Sequence, residues 1–169
     1  CGISYTDMEG ARNNLSSECK TFDFDSVKKN AFDKWEKVFE GVDVNGSDET
    51  DLKLFYTCLY HTLLDPRFVA DVDGRFLLNS KVKQNSFYTH RTVFSGCDVY
   101  RSEFPLLTLI RPDIVNDEVN SLLSIAEEKN SSFPRWELLG IDAGCMVGDP
   151  GLIVVADAYV KGIRNFDAE

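Results

Sequence analysis

Six side chains in this sequence are of the types that handle sugar hydroxyls. Asp73, Asp98, Glu137 and Asp142 are carboxylates that accept hydroxyl hydrogens, and Arg101 is a fixed donor. Trp136 offers an indole face that stacks on ring C–H groups. Asp98 and Arg101 are three residues apart, a spacing that puts them on one helix face and lets them pair. Asp98 follows a break at Ser95-Gly96, so it stands near a helix N-terminus, where a carboxylate is stabilised. Two readings fit: an acid–arginine pair that steadies a helix, or one wall of a carbohydrate site. Trp136 has the same ambiguity, since a loop tryptophan also serves as an anchor to the core.

Other chemistry is poorly supported. Asp71 and Asp73 in Ala70-Asp-Val-Asp-Gly-Arg-Phe suggest a calcium loop, but the position twelve residues along an EF-hand counted from Asp71 is Val82, not Glu. The reading left for Asp71 is an Asx-type turn around Gly74. Five cysteines (Cys1, Cys19, Cys58, Cys97, Cys145) are widely spaced, and there are two histidines, which argues against zinc. Cys58 and Cys145 have apolar neighbours and read as small buried hydrophobes. His61 reads as a satisfied structural donor, and no local signature supports a Cys–His nucleophile.

Helices must position these groups. Residues 1–6 alternate Ile3 and Tyr5 with polar neighbours, which suggests a strand, and 9–20 a short helix. Val27, Ala31, Trp35, Val38, Phe39 and Val42 form one apolar stripe at helical spacing, capped by Asp25 or Ser26, so Trp35 belongs to the core. Thr50 caps the next helix, whose inner side carries Leu52, Phe55, Cys58, Leu59 and Leu63. The stretch 66–94 is irregular, with a β-hairpin or extended loop over 81–94. Val99, Tyr100, Phe104, Leu107 and Ile110 recur with helical spacing. Pro112-Asp113 opens a helix carrying Val115, Val119, Leu122, Leu123 and Ala126, closed by Lys129 and Asn130. Asp149-Pro150 opens the last one, which runs to Gly162.

The composition bounds the rest. With 169 residues, 43% hydrophobic and 12% aromatic, the chain suits one globular domain. A net charge of −10 argues against a nucleic-acid partner. No apolar run reaches membrane-spanning length and no signal peptide opens the chain. The start at Cys1 and the abrupt end read as those of a fragment. Sequons at Asn14, Asn45 and Asn130 hint at a secreted or extracytoplasmic protein.

Seven motifs in order give a sharper reading. They are Phe55-Tyr-Thr-Cys-Leu-Tyr-His-Thr, Asp71-Val-Asp-Gly-Arg-Phe, Thr92-Val-Phe-Ser-Gly-Cys-Asp-Val-Tyr-Arg, Pro105-Leu-Leu-Thr-Leu-Ile-Arg-Pro, Pro134-Arg-Trp-Glu-Leu, Cys145-Met-Val-Gly-Asp-Pro and Ala156-Asp-Ala-Tyr-Val-Lys-Gly. The series closely resembles the catalytic domain of glycoside hydrolase family 92, the calcium-dependent inverting exo-α-mannosidases. The resemblance implies a mainly α fold, part of an (α/α)6 toroid. Residues 1–20 would be the junction from an N-terminal β-sandwich domain, and 21–169 the first portion of the catalytic domain.

It implies that no catalytic residue lies in this chain: the general acid, the base pair and the calcium ligands fall further toward the C-terminus. The expected partners are a mannose-containing glycan and the missing remainder of the domain. The substrate-binding residues it implies are Asp98 on sugar hydroxyls, Arg101 orienting it, and Trp136 and Glu137 together on a neighbouring loop. Asp73 would support the pocket from behind. Cys97 stands where the family pattern Trp-Asp-x-x-Arg has Trp, and Ile141-Asp142-Ala143 where many members have Asn-Glu-Thr. A non-catalytic helical binding or scaffold module is the competing expectation. An unrelated helical interaction domain would leave Asp98, Arg101 and Trp136 far apart.

Overall fold

The computed structural model of the chain describes residues 1–46, 48–129 and 132–168. About half of it is helical. The elements in order are α1 (Met8–Glu18), α2 (Phe24–Phe39), α3 (Glu49–Thr62), β1 (Arg67–Phe68), β2 (Arg75–Leu78), β3 (Lys81–Gln84), β4 (Arg91–Thr92) and β5 (Phe94–Ser95). They continue with α4 (Gly96–Val99), α5 (Glu103–Ile110), α6 (Pro112–Glu128), β6 (Trp136–Leu138), β7 (Ile141–Asp142) and α7 (Pro150–Val160). No helix among the described residues is long and apolar enough to cross a membrane.

The core lies where α5, α6 and α7 meet. Val115, Val119 and Leu122 of α6, spaced for one helix face, pack against Phe104 and Leu107 of α5, Val154 and Ala158 of α7, and Phe94 of β5. Burying such side chains contributes roughly 1.5–3 kcal/mol each, so this cluster is the main source of stability. Pro112 sits in the first turn of α6, where its missing N–H is harmless. Gly162, at φ +94°, ends α7 in a Schellman turn: Gly162 N bonds Tyr159 O and Ile163 N bonds Ala158 O.

Strands are confined to the connections. β1 pairs with β4, β2 with β3, and β5, β6 and β7 form a three-stranded antiparallel sheet. Two tight turns set the registers. Asn79-Ser80 (φ 49° and 62°) joins β2 to β3, and Leu139-Gly140 (φ 53° and 76°) joins β6 to β7, both with the left-handed backbone of type I′ turns. Val93, at φ +72°, separates β4 from β5, so that consecutive dipeptides join different sheets. A β-branched residue there is strained.

Several expectations are corrected. Residues 1–6 form no strand; Ser4 and Thr6 instead hydrogen-bond Asp71. The hairpin begins earlier than 81, at Arg75, and residues 85–90 are irregular before β4. Asp23 caps α2 by accepting from Ser26 N, and Asp48 caps α3 by accepting from Thr50 N, each about two residues ahead of the expected cap. The stripe on α2 holds no buried residue: Val27 is 42% exposed, and Trp35, Val38 and Phe39 are only half-buried. Trp35 is half-buried, stacked on Phe39 and tilted against Tyr60, rather than entering the core. Cys58 and Cys145 are exposed thiols, and His61 is an exposed ring tilted on Tyr60.

Candidate functional site

The β5–β6 ladder builds the site. Gly96 N donates to Arg135 O at 3.0 Å where β5 runs into α4. A Cβ on Gly96 would stand 2.5 Å from Pro150 Cγ and 2.8 Å from Arg135 O, so only glycine permits this approach. Ser95 lies opposite Trp136, and Phe94 opposite Glu137. Directly opposed residues share a sheet face and successive residues alternate. Phe94 and Glu137 therefore turn inward, and both are buried. Ser95 and Trp136 share the other face. Ser95 Oγ donates to Asp98 Oδ2 at 2.5 Å, so the exposed carboxylate stands on the side that carries the indole.

The predicted residues are thus partly assembled. Ser95 links the two candidates: it pairs with Trp136 across the ladder and its hydroxyl bonds Asp98. Arg101 follows α4 in an exposed turn, with its guanidinium 5.1 Å from the ring centre of Tyr100. No ion pair joins it to Asp98, because α4 ends at Val99 and the two residues do not share a helix. Glu137 does not accompany Trp136: it lies on the strand's opposite face, where Oε1 accepts from Thr92 Oγ1 (2.9 Å) and Gly140 N (2.5 Å). The Cys97 thiol, half-buried, contacts Val147 O at 3.3 Å, and Arg135 Nη1 donates to Met146 O. The loop 143–149 is thereby drawn over the start of α4. Asp142, on β7, accepts from Gly144 N at 3.0 Å. Asp98 is exposed.

Asp73 is elsewhere. It precedes β2, accepts from Arg75 N and Nε, and lines a cleft of about 560 Å³ with Glu18, Phe68, Asn85 and Phe87. The hydrogen bond from the Arg75 guanidinium holds its carboxyl below the usual carboxylate range. The Asx-type turn is therefore made by Asp73. The buried Asp71 is an anchor, accepting from Ser4 Oγ, Thr6 Oγ1 and Asn14 Nδ2. Asn14 also donates to Ile3 O, so the amide of this sequon is committed inside the fold. Asn45 is exposed; Ser47 of its sequon and Asn130 lie outside the described residues.

Among the described residues, no three His, Cys, Asp or Glu side chains gather as a metal shell. Asp71 accepts from Ser4, Thr6 and Asn14, and Asp73 from Arg75. The calcium that the family resemblance implies has its ligands further toward the C-terminus, outside these residues.

Three buried groups escaped the reading of the sequence. Glu118, on the inner face of α6, has its carboxyl pushed up to about 8 by burial and then by Glu137. Its position between Val115, Val119 and Leu122 marked it as an acid inside an apolar stripe. Arg91 spans from β4 to Asp117 of α6 (3.1 and 3.2 Å) and to Pro66 O. His90 stacks on Phe76 with ring centres 4.0 Å apart, and burial pushes it down to about 4. Neither carried a local signal.

Helices packed on helices, with polar side chains presented by the short strands between them, make this part of an α/α domain. The chain belongs to glycosyl hydrolase family 92, whose catalytic domain matches residues 10–169. It superposes on the family GH92 α-mannosidase BT3965 from Bacteroides thetaiotaomicron with a TM-score of 0.89 and 31% identity, covering 97% of this chain and 22% of that one. The complex of that enzyme with mannoimidazole gives a TM-score of 0.89, 30% identity and the same coverage. The inverting mannosidase BT2199 from Bacteroides thetaiotaomicron VPI-5482 matches with a TM-score of 0.89 at 27% identity, over 98% of this chain and 22% of that one. The chain thus spans about a fifth of the length of these relatives. No curated protein sequence matches it.

Proposed function

We propose that this chain is the first portion of the catalytic domain of a longer α-mannosidase that releases terminal α-mannose from glycans with inversion. Residues 1–20 serve as the junction to a preceding domain. The glycan substrate and an extracytoplasmic location belong to the same proposal. One observation supports it: Ser95 pairs with Trp136 across the ladder while its hydroxyl bonds the exposed Asp98 carboxylate. Asp98 accepts hydrogens from hydroxyls of the terminal sugar, Trp136 stacks on its C–H face, and Arg101 supplies charge at the rim. Glu137 acts from behind, by fixing the strand that bears Trp136. Asp73 plays a structural part in its own turn.

Inversion needs one carboxylic acid on the leaving oxygen and one carboxylate on a water at the opposite face, ~6.5–9.5 Å apart. The resemblance puts both outside these residues, so the share of this chain is substrate positioning. Titrating the full-length protein with mannoimidazole and assaying an aryl α-mannoside tests this. Binding with turnover supports the enzyme.

A second reading, a carbohydrate-binding or scaffold module without catalysis, is favoured by Cys97. A thiol folded against Val147 O replaces an aromatic wall beside Asp98. Binding without turnover of the aryl mannoside identifies that case.

A further inference from the structure

A cleft of about 400 Å³ opens between α2, the connection from α3 into β1, β4 and the start of α6. Four cations line it, Lys34, Arg67, Arg91 and Arg111, and among the described residues no carboxylate does. In a chain of net charge −10, a concave surface of the opposite sign draws anions to one place. Each arginine is held by an aspartate that does not itself line the cleft. Arg67 forks on Asp65, Arg111 on Asp113 and Arg91 on Asp117. A guanidinium held in this way has a fixed direction.

The donors left over can be named. Arg91 has none, because its Nη1 donates to Pro66 O while its guanidinium lies 4.5 Å over the Phe68 ring. Arg67 and Arg111 are each engaged through Nε and Nη2, which leaves both Nη1 groups as donors. Lys34 is exposed and pairs with no described residue. Four cations against three aspartates leave one positive charge in excess. Trp35 and Phe68 also line the cleft, and Phe68 is 65% exposed. Aromatic faces beside unspent donors suit a sugar ring, and the volume is in the range of small-molecule pockets.

We propose that this cleft binds a sugar bearing a carboxylate, a uronic acid residue, with the carboxylate on Lys34 and the Nη1 groups of Arg67 and Arg111. The ring lies against Trp35 or Phe68. The single excess charge matches a monoanion. A phosphate monoester, close to a dianion at neutral pH, would keep a second charge uncompensated. None of Asp98, Arg101 and Trp136 lines the cleft, so the site is separate from that proposed for mannose and stands whether or not that reading holds.

Calorimetric titration of the full-length protein with glucuronate, glucose and inorganic phosphate tests the proposal. Glucuronate is expected to bind at least about tenfold more tightly than either of the others, and more weakly as salt is raised. Lys34→Glu reverses the unpaired charge and should weaken glucuronate at least about tenfold, with the melting temperature unchanged because the side chain is exposed. Asp98→Ala should leave glucuronate binding as it is. No binding of glucuronate, equal or tighter binding of glucose or phosphate, an affinity unaffected by Lys34→Glu, or its loss in Asp98→Ala overturns the proposal.

Discussion

Ser95 faces Trp136 across the β5–β6 ladder while its hydroxyl donates to Asp98, so one residue links the two candidates. Ser95 thereby does two jobs: its backbone sets the register with β6, and its hydroxyl fixes the carboxylate.

The close approach of Gly96 to Pro150 and to Arg135 O underlies that register. Gly96→Ala is expected to destabilise the chain by about 1–3 kcal/mol, as overpacking of a well-filled contact does. Denaturant unfolding measures it. Unchanged stability would mean that α4 and α7 separate at no penalty.

Asp71 holds the N-terminal segment through Ser4, Thr6 and Asn14. Hydrogen bonds to a charged group contribute about 1.5–3 kcal/mol, and removing their acceptor strands the donors. In Asp71→Ala, amides of residues 3–18 should lose hydrogen-exchange protection while those of α6 keep theirs. Equal protection in the two proteins would refute the anchoring role.

Burial and then Asp65 push the Glu103 carboxyl up to about 7. Its folded value lies above its unfolded one, so the unfolded chain loses this proton first as pH rises. The contribution is complete below about 4.5 and declines until the pH passes about 7. Melting temperatures measured across this window should fall with pH, and the fall should be shallower in Glu103→Gln. An identical slope in the variant would assign the effect to other groups.

Much of the helical framework was legible because periodicity reports directly on which face of a helix is apolar. The stripe on α6 and the Gly162 terminus needed nothing more. Periodicity does not say what covers a face. The stripe on α2 has the same spacing as that on α6, yet Val27 and Ala31 remain exposed. The same limit misplaced Cys58. The caps at Asp23 and Asp48 shifted because each helix start offers two capping residues within two or three positions, and spacing alone cannot rank them. Asp98 and Trp136 were candidates from residue type and motif alone. Glu137 turns away from Trp136 because adjacent residues on a strand face opposite ways, which a loop over these residues would not require. Asp71 and Arg91 act through partners 57 and 26 residues away, a separation that no local pattern encodes.

The most direct test is kcat/KM for an aryl α-mannoside in the full-length protein carrying Asp98→Ala. Loss of one charge-assisted contact of about 1.5–3 kcal/mol predicts a fall of roughly ten- to a hundredfold, with the melting temperature unchanged because the side chain is exposed. An unaltered kcat/KM would contradict the assignment of Asp98 to the place where the terminal sugar is held.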